Sequence, residues 1–203
     1  MSIQVREMNL IDKVEAYKII LASGSPRRHE LLAGLDFPFE IDTLSNVDES
    51  FDPATPADQV PVFLAHQKSV GFHRELRDNE ILITADTIVV INGEILGKPI
   101  DYSDAFSMLR TLSGNTHTVF TGVCIRSIQK EASFTASTQV TFKELSDEEI
   151  TYYLNNYKPY DKAGSYGVQE WIGYIAITSI EGSYYNVMGL PIQRLYTEIN
   201  KFL

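Results

Sequence analysis

A short basic turn is the first stretch of this sequence whose residue types could do chemistry. The segment from Ser23 to Arg28 reads SGSPRR and lies where an apolar run gives way to helical spacing. A turn from a strand into a helix leaves the first backbone N–H groups of the helix unpaired, and these groups favour an anion. Ser25 is predicted to cap the helix and Pro26 to begin it. Because Arg27 and Arg28 then fall in the first turn, where positive charge is unfavourable without an anion, the turn is predicted to bind phosphate.

A single carboxylate interrupts the strongest strand pattern in the chain. Residues 81–91 are almost continuously apolar around Asp86, which predicts a strand covered on both faces. A buried carboxylate is costly unless it is paired, hydrogen-bonded or bound to a metal. We therefore interpret Asp86 as the best candidate for a working carboxylate. The alternative is that Asp86 marks a bulge or the end of the strand and keeps its charge in solvent.

Two isolated lysines supply further positive charge. Lys68 lies on a segment predicted to be helical over residues 56–76 and capped at Thr55, and it could point either towards a cleft or into water. Lys98 lies in a constrained Gly-Lys-Pro turn that follows a predicted β-hairpin. Both are candidates for contacts with phosphate oxygens.

Other candidates have ordinary structural explanations beside the functional ones. Glu49 belongs to the acidic, proline-bearing loop 42–58, which a solvated connection would explain. The glycine-bearing loop 159–169 fits an ordinary connection as well as a functional loop. His117 fits a polar strand end better than a catalyst, and Cys124 fits a small buried hydrophobic residue in a strand.

These groups together predict one kind of chemistry. A phosphate turn, arginines, lysines and carboxylates suit the hydrolysis of a phosphoanhydride, in which cations neutralise polyphosphate oxygens. Carboxylates would carry a divalent metal and orient a water molecule for in-line attack. The sequence offers no catalytic cysteine and no persuasive serine–histidine pair, and it lacks the GxxxxGK[ST] pattern of P-loop enzymes.

Composition limits the class of protein. The chain has 203 residues, of which 44% are hydrophobic and 22% charged, as expected for one globular domain with a sizeable core. A net charge of -10 argues against an extended nucleic-acid surface. The single cysteine excludes an intramolecular disulfide and a cysteine-based zinc cluster, and it favours a reducing compartment. Without a long apolar run or a leader-like start, no membrane contact is expected and the cytoplasm is the predicted location.

Alternating strands and helices must position these groups. Residues 1–17 have a weak helical pattern and are interpreted as an N-terminal extension, with a single domain over residues 18–203. The predicted strands lie at residues 18–22, 37–41, 81–91, 94–96, 116–128, 132–142 and 172–180. The other predicted helices lie at residues 26–35, 103–112, 146–157 and 191–202.

Several short motifs occur in a fixed order along the chain. They are LASGSPRR at 21–28, ADTIV at 85–89, GKP at 97–99, LSG at 112–114, TGV at 121–123, DKAGSYGVQ at 161–169, GSY at 182–184 and GLP at 189–191. Over residues 18 to 202, this order resembles the Maf family of nucleoside triphosphate pyrophosphatases. The DKAGSYGVQ string resembles the subfamily that acts on dTTP and UTP, including some modified uridine nucleotides.

The resemblance implies a fold and a reaction. The fold would be an α/β fold of the Maf and inosine-triphosphatase type, an elongated mixed β-sheet flanked by helices with two lobes around a central cleft. The reaction would convert a nucleoside triphosphate and water to the monophosphate and pyrophosphate with a divalent cation, Mg²⁺ or Mn²⁺. A homodimer is left open.

The resemblance also assigns roles to residues of this sequence. Asp86 corresponds to the proton acceptor for the attacking water, although a metal ligand is an equally good interpretation of it. Glu49 would share the metal with Asp86. The residues that correspond to substrate-binding positions are Ser23, Ser25, Arg27, Arg28, Lys68, Thr87, Lys98 and Gln169, among which Arg28, Thr87 and Gln169 match positions associated with substrate choice.

A different class of function competes with the enzyme. The family's association with septum inhibition suggests a nucleotide-binding regulator of cell division that acts through a protein partner. Such a regulator could keep the phosphate turn and lose the charged groups. Because Asp86, Lys68 and Lys98 are all present, hydrolysis is the favoured interpretation. A role in nucleotide-pool sanitation and cell division arrest is left open beside it.

Overall fold

The computed structural model describes residues 9–43, 47 and 49–203. Within them, the strands are β1 (Lys18–Leu21), β2 (Phe39–Ile41), β3 (Glu80–Ile91), β4 (Glu94–Leu96), β5 (Thr116–Arg126), β6 (Glu131–Phe142) and β7 (Ile177–Glu181). The helices are α1 (Leu10–Val14), α2 (Pro26–Ala33), α3 (Val60–Val70), α4 (Tyr102–Leu112), α5 (Asp147–Tyr157), α6 (Trp171–Ala176), α7 (Tyr184–Met188) and α8 (Ile192–Phe202), with a 3₁₀ turn at Ala163–Ser165.

The strands of the described residues form one mixed sheet. Its order is β2-β1-β3-β5-β6-β7, and β4 pairs with β3 outside this path. Strand β1 runs parallel to β2 and β3, whereas the β3–β5, β5–β6 and β6–β7 pairs are antiparallel. The mixed sheet flanked by helices that the sequence predicts is therefore confirmed.

Strand β3 is the central element that carries the candidate carboxylate. Its register with β5 is continuous from Leu82 opposite Arg126 to Val90 opposite Thr118, so Asp86 lies opposite Gly122 within a regular ladder. The alternative of a bulge or a strand end is therefore wrong. Because side chains alternate along a strand, Asp86 shares the β3 face that packs on α3.

Helix α3 and the main core cover opposite faces of this strand. Thr84 Oγ1 donates to the carbonyl oxygen of Ala65 in α3 at 2.6 Å, and Ile88 packs in a small cluster with Val60 and Leu64. The main hydrophobic cluster instead joins Ile83 and Ala85 to the strands β1, β5 and β6 and the helices α2, α4, α5 and α8. Each fully buried aliphatic side chain in these clusters contributes about 1.5–3 kcal/mol.

The lone cysteine behaves as its sequence context predicts. Cys124 is fully buried in β5 and is a free thiol. Burial raises the pKa of this thiol above its ordinary value. A buried thiol of raised pKa is unreactive, so Cys124 acts as a small core residue.

Helix α3 is shorter than the sequence predicts. Its N-cap is Gln59 rather than Thr55, and it ends at Val70 before Gly71. Thr55 instead closes a turn in which its N–H donates to the carbonyl oxygen of Asp52 at 2.8 Å, while the Asp52 carboxylate accepts from Ala54 N–H. This local side-chain bond competes with helix formation and delays the start of the helix.

The predicted strand 172–180 is wrong in its first half. Residues Trp171–Ala176 form α6, and only Ile177–Glu181 pair with β6 as β7. The apolar run fits either structure, and the difference is set by tertiary pairing. Helix α7 was not predicted, although Ser183 caps it by accepting from Asn186 N–H and Gly189 ends it at a φ of 113°.

The N-terminal extension is described only from residue 9. There, Asn9 and Asp12 form a capping box that begins α1, which agrees with the weak helical pattern. Residues 1–8 of the extension and residues 44–46 and 48 of the acidic loop lie outside the described residues. None of the helices that the structure describes has both the length and the apolar character needed to cross a bilayer.

A partly buried ion pair between Arg74 and Glu80 holds the start of β3 in place. The Glu80 side chain is 1% exposed and accepts from both Arg74 terminal nitrogens, at 2.7 and 3.0 Å, and from Arg77 N–H. The bonds from Arg74 are the main cause that lowers the pKa of Glu80 from 4.5 to about 2. A carboxylate whose pKa is lower in the folded state stabilises the fold above its unfolded pKa. This stability is therefore lost as the pH falls from about 4.5 to about 2.

The substitution Glu80→Gln is expected to remove this contribution. We expect a loss of about 2 kcal/mol at pH 7, which is about 5 °C in melting temperature for a chain of this size. Melting curves between pH 7 and pH 3 should also show a shallower fall than in the parent chain. The exposed Glu94→Gln is the control, and an equal loss there would contradict a special role for Glu80.

Candidate functional site

The predicted site residues surround one cleft. Its cavity has a volume of about 600 Å³ and is formed by the turn before α2, helix α3, strand β3, the segments 97–98 and 161–169, and the end of α7. The ten residues that the resemblance assigns to the site all line it: Ser23, Ser25, Arg27, Arg28, Glu49, Lys68, Asp86, Thr87, Lys98 and Gln169.

The phosphate turn has the local structure expected of an anion site. Strand β1 ends at Leu21, and Ser25 adopts an extended backbone immediately before α2 begins at Pro26. The Ser25 side chain makes no capping hydrogen bond, and the first turn of α2 contains no acidic residue. Pro26 carries no N–H, and the N–H groups of Arg28 and His29 both donate to the carbonyl oxygen of Ser25. Within the first turn of α2 as the structure describes it, the Arg27 N–H is therefore the backbone donor left to an anion.

The two arginines of this turn have different surroundings. Arg28 Nε donates to Gly189 O at 2.8 Å, one terminal nitrogen donates to Ala85 O and Ser23 Oγ at 2.9 and 3.3 Å, and the other donates to Thr87 Oγ1 at 3.0 Å. Four of its five N–H donors are thus used within the protein. Arg28 therefore joins α2, β3 and the end of α7, and one donor remains.

Burial of Arg28 alters its electrostatics. Desolvation lowers the pKa of the Arg28 guanidinium from its ordinary value, and the neighbouring Asp86 carboxylate acts in the opposite direction. The group stays charged at neutral pH because an arginine guanidinium is not deprotonated in proteins. A partly buried positive charge that lines the cleft favours an anionic ligand.

Arg27 is more accessible and pairs across the cleft. Its terminal nitrogen is 3.0 Å from Asp161 Oδ2, which belongs to the loop on the far wall. The Arg27 side chain is 22% exposed, and that of Asp161 is 57% exposed. An ion pair with this exposure contributes little to the free energy of unfolding. Arg27 can therefore exchange Asp161 for another anion at low cost in stability.

A lysine and two carboxylates form the centre of the cleft. Lys68 Nζ lies 2.6 Å from Asp86 Oδ1 and 3.1 Å from Glu49 Oε1. The Lys68 and Asp86 side chains are 16% and 13% exposed, so the ion pair offsets the cost of removing both charges from water. The structure thus turns Lys68 into the cleft rather than into bulk solvent.

Gly122 explains how α3 brings Lys68 to Asp86. A Cβ atom at position 122 would overlap the backbone of Pro61 and Val62 in the first turn of α3. Only glycine therefore lets the helix lie this close to β5. Since Gly122 is the partner of Asp86 across the sheet, the close approach brings Lys68 within reach of the carboxylate.

The acidic groups can be tested as metal ligands. Among residues 9–43, 47 and 49–203, no group of three or more His, Cys, Asp or Glu side chains is arranged to hold a metal ion. Mg²⁺ is commonly bound by one or two carboxylates together with substrate phosphates. The Asp86 and Glu49 carboxylates both contact Lys68 Nζ and so lie near each other. They fit a cation that also binds phosphate oxygens. They do not fit a metal held by protein side chains alone.

The far wall carries the remaining predicted residues. Gly164 N–H donates to Gly97 O at 3.0 Å, which fixes the loop 161–169 beside the turn that carries Lys98. Gln169 faces the cavity, and its Oε1 atom is buried without a hydrogen-bond partner among the described residues. A buried amide oxygen without a partner is costly, so this atom favours a donor on a ligand.

Some site residues were missed by sequence reasoning. Lys162 is buried, lines the cavity and pairs with Glu170 at 3.1 Å. The carbonyl oxygen of Gly189 accepts from Arg28, but a backbone acceptor leaves no signal in residue type. A lysine inside a glycine-bearing loop that already has functional candidates was the one signal that could have identified Lys162.

His117 has a structural role beneath the site. Its Nε2 atom lies 2.8 Å from the hydroxyl of Tyr166, whose ring lines the cavity, and its ring packs edge-on against Phe142. Burial lowers the pKa of His117 to about 4, so the ring is neutral at pH 7. The residue lies at the start of β5, as predicted, but it is buried.

The chain is similar to a known family and to curated proteins over almost its whole length. Residues 18–202 match the family described as Maf-like protein. The dTTP/UTP pyrophosphatase of Phocaeicola vulgatus is 52% identical over 192 residues, which cover 95% of this chain and 100% of that protein. The protein of the same name from Porphyromonas gingivalis W83 is 53% identical over 195 residues, which cover 95% and 98%.

One further relative and one solved structure are also similar to this chain. The dTTP/UTP pyrophosphatase of Flavobacterium johnsoniae is 51% identical over 187 residues, which cover 92% of this chain and 96% of that protein. The solved structure of a HAM1 protein from Coxiella burnetii aligns with a TM-score of 0.49 and 12% identity over 91% of this chain and 99% of that chain.

Proposed function

Since this chain belongs to the Maf-like protein family, we propose that it is a nucleoside triphosphate pyrophosphatase that hydrolyses dTTP and UTP. The products are the nucleoside monophosphate and pyrophosphate. The observation that carries the proposal is the Lys68, Asp86 and Glu49 centre in the same cleft as the phosphate turn. Relatives about half identical over almost the whole chain, which are named for this activity, support it.

The charged groups of the cleft have separate roles in this reaction. The backbone N–H of Arg27 at the start of α2, with the side chains of Ser23, Ser25 and Arg27, binds oxygens of the triphosphate. Lys98, which is exposed at the opposite rim, adds a second positive charge. These cations neutralise the negative charge that grows on the leaving pyrophosphate, which lowers the barrier to cleavage.

Asp86 acts on the attacking water. The water oxygen forms a bond to the α-phosphorus while the bond from that phosphorus to the bridging oxygen of pyrophosphate breaks. The Asp86 carboxylate accepts the water proton in this step. Lys68, at 2.6 Å from Asp86 Oδ1, holds the carboxylate in place and can contact a phosphate oxygen.

We further propose that the enzyme depends on a divalent cation. Asp86 and Glu49 would hold Mg²⁺ or Mn²⁺ together with the phosphates of the substrate. A cation bound there would supply charge neutralisation at the phosphoryl oxygens.

The cellular location is proposed from the cysteine content. The single buried cysteine suits a reducing compartment, and we place the enzyme in the cytoplasm.

The decisive experiment is a panel of nucleoside triphosphates. Pyrophosphate release is measured with dTTP, UTP, CTP, GTP and modified uridine triphosphates, each with Mg²⁺, with Mn²⁺ and with a chelator. We expect dTTP and UTP to be the best substrates and the chelator to abolish release. Activity that survives the chelator would contradict metal dependence. Inactivity across the whole panel would instead favour a nucleotide-binding regulator of septum formation that acts through a protein partner.

Substrate choice is proposed to depend on Gln169, with Arg28 and Thr87. A side-chain amide offers both a donor and an acceptor, and the N3–H and O4 groups of uracil and thymine complement this pair. The substitution Gln169→Ala is therefore expected to reduce the preference for UTP over CTP about tenfold or more, because the hydrogen bonds to the base are lost. The preference is measured as the ratio of the two kcat/KM values. Gln129→Ala, in the β5–β6 connection, is a control that should preserve it.

A further inference from the structure

A charged cluster lies behind Gln169, and we call Tyr153, Asp161, Lys162 and Glu170 the Glu170 cluster. Lys162 Nζ is 2.7 Å from Asp161 Oδ1 and 3.1 Å from Glu170 Oε1. The other oxygen of Glu170 accepts from the hydroxyl of the fully buried Tyr153. This hydroxyl in turn accepts from Gly167 N–H at 3.0 Å. Glu170 is thus bonded through one carboxylate oxygen to Tyr153 of helix α5 and through the other to Lys162 of the loop 161–169.

The Glu170 cluster fixes the backbone around Gln169. Glu170 N–H donates to Gly167 O at 3.0 Å, which closes a tight turn over residues 167–170. A Cβ atom at Gly167 would lie 2.8 Å from the carboxyl carbon of Glu170, and one at Gly173 would overlap the carbonyl oxygen of Val168. The residues on both sides of Gln169 are therefore packed without free space.

The oxygen of the Gln169 side chain, by contrast, is not held by hydrogen bonds from the described residues. Its Oε1 atom is buried at the cavity and has no hydrogen-bond partner in the part of the chain that the structure describes. No described side chain bonds to this oxygen to orient it. The position of the amide group therefore depends on the backbone that the Glu170 cluster holds.

We propose that Glu170 is a positioning residue for Gln169 and that it thereby sets the preference for uracil and thymine over cytosine. The proposal rests on the proposed function, in which Gln169 contacts the base. An amide pairs with uracil in one orientation and with cytosine after a half-turn. Discrimination between these bases therefore requires the amide to be held in a defined place relative to the base. Loosening the turn should reduce discrimination.

The test uses two substitutions that act on the same contact. Glu170→Gln removes the negative charge between Lys162 and Tyr153, and Tyr153→Phe removes the hydroxyl that links Glu170 to Gly167. We expect each to lower the ratio of kcat/KM for UTP to that for CTP about five- to tenfold. Tyr157→Phe, a neighbour stacked on Tyr153, is the matched control and should preserve the ratio.

A double substitution separates positioning from general damage. In the Gln169→Ala background, neither Glu170→Gln nor Tyr153→Phe should lower the UTP to CTP ratio further, because the group that they position is gone. An equal further loss in that background would overturn the proposal. Melting temperatures establish that each variant is folded, and Tyr153→Phe alone decides the question if Glu170→Gln does not fold.

The remaining outcomes distinguish this proposal from the function on which it rests. If Gln169→Ala leaves the ratio unchanged, the base-reading role of Gln169 fails and the positioning role fails with it. If Gln169→Ala lowers the ratio but Glu170→Gln and Tyr153→Phe do not, only the positioning role fails. Pyrophosphate release from UTP by the parent enzyme tests the hydrolytic function separately.

Discussion

Asp86→Asn is expected to lower kcat for dTTP and UTP about a thousandfold, because the amide cannot accept the proton of the attacking water. The side chain keeps its shape, and its oxygen can still accept from Lys68, which lies 2.6 Å from Asp86 Oδ1. The variant should therefore fold and retain the cleft. The measurement is pyrophosphate release at saturating substrate, together with the melting temperature.

The control for this substitution is Asp78→Asn. Asp78 is exposed just before β3 and lies outside the cavity wall, so its neutralisation should change kcat less than twofold. Turnover near that of the parent in Asp86→Asn would remove Asp86 from the chemical step. Glu49→Gln gives a further comparison, since it alters the proposed metal site without removing the proton acceptor.

Arg28→Lys is expected to have the second largest effect, although the charge is conserved. An ammonium has three donors on one atom and cannot reproduce four hydrogen bonds that point to Gly189, Ala85, Ser23 and Thr87. Carbonyl oxygens would be left unpaired, with a loss of about 2 kcal/mol in the free energy of unfolding. Misplacement of the site walls should lower kcat/KM for UTP about a hundredfold.

Arg27→Lys provides the matched comparison on the adjacent residue. Arg27 makes one ion pair, with the exposed Asp161, so a lysine can replace much of its interaction. We expect a smaller loss in kcat/KM than for Arg28→Lys and a melting temperature within about 2 °C of the parent. Equal effects of the two substitutions would show that the network around Arg28 is unimportant.

The sequence predicts the fold best where local and long-range forces agree. Strand β3 was identified because a strand buried on both faces needs a continuous apolar run, and its hairpin because Asn92 and Gly93 suit a turn with positive φ. The start of α3 was wrong because the Asp52 turn competes with the helix. The strand predicted at residues 172–180 begins as α6 because pairing with β6 extends only from Ile177.

The candidate site can also be predicted from the sequence only in part. Residue types indicate a phosphate turn and a working carboxylate, because a misplaced charge costs free energy that some partner must offset. They do not indicate which groups meet in space. That Lys68 reaches Asp86 depends on the contact of α3 with Gly122. That Arg28 faces inward depends on the backbone of Gly189, which is 161 residues away in the chain.

The pair between Arg27 and Asp161 across the cleft has a consequence for turnover. In the proposed function, a phosphate that takes the terminal nitrogen of Arg27 now paired with Asp161 would replace an anion of the protein itself. Binding at that nitrogen would then be an exchange of partners. The same competition would act when pyrophosphate departs, because Asp161 could pair with the guanidinium again. Product release limits many enzymes. On the proposed reaction, the Asp161 carboxylate would weaken the retention of a highly charged product and favour rapid recycling of the enzyme.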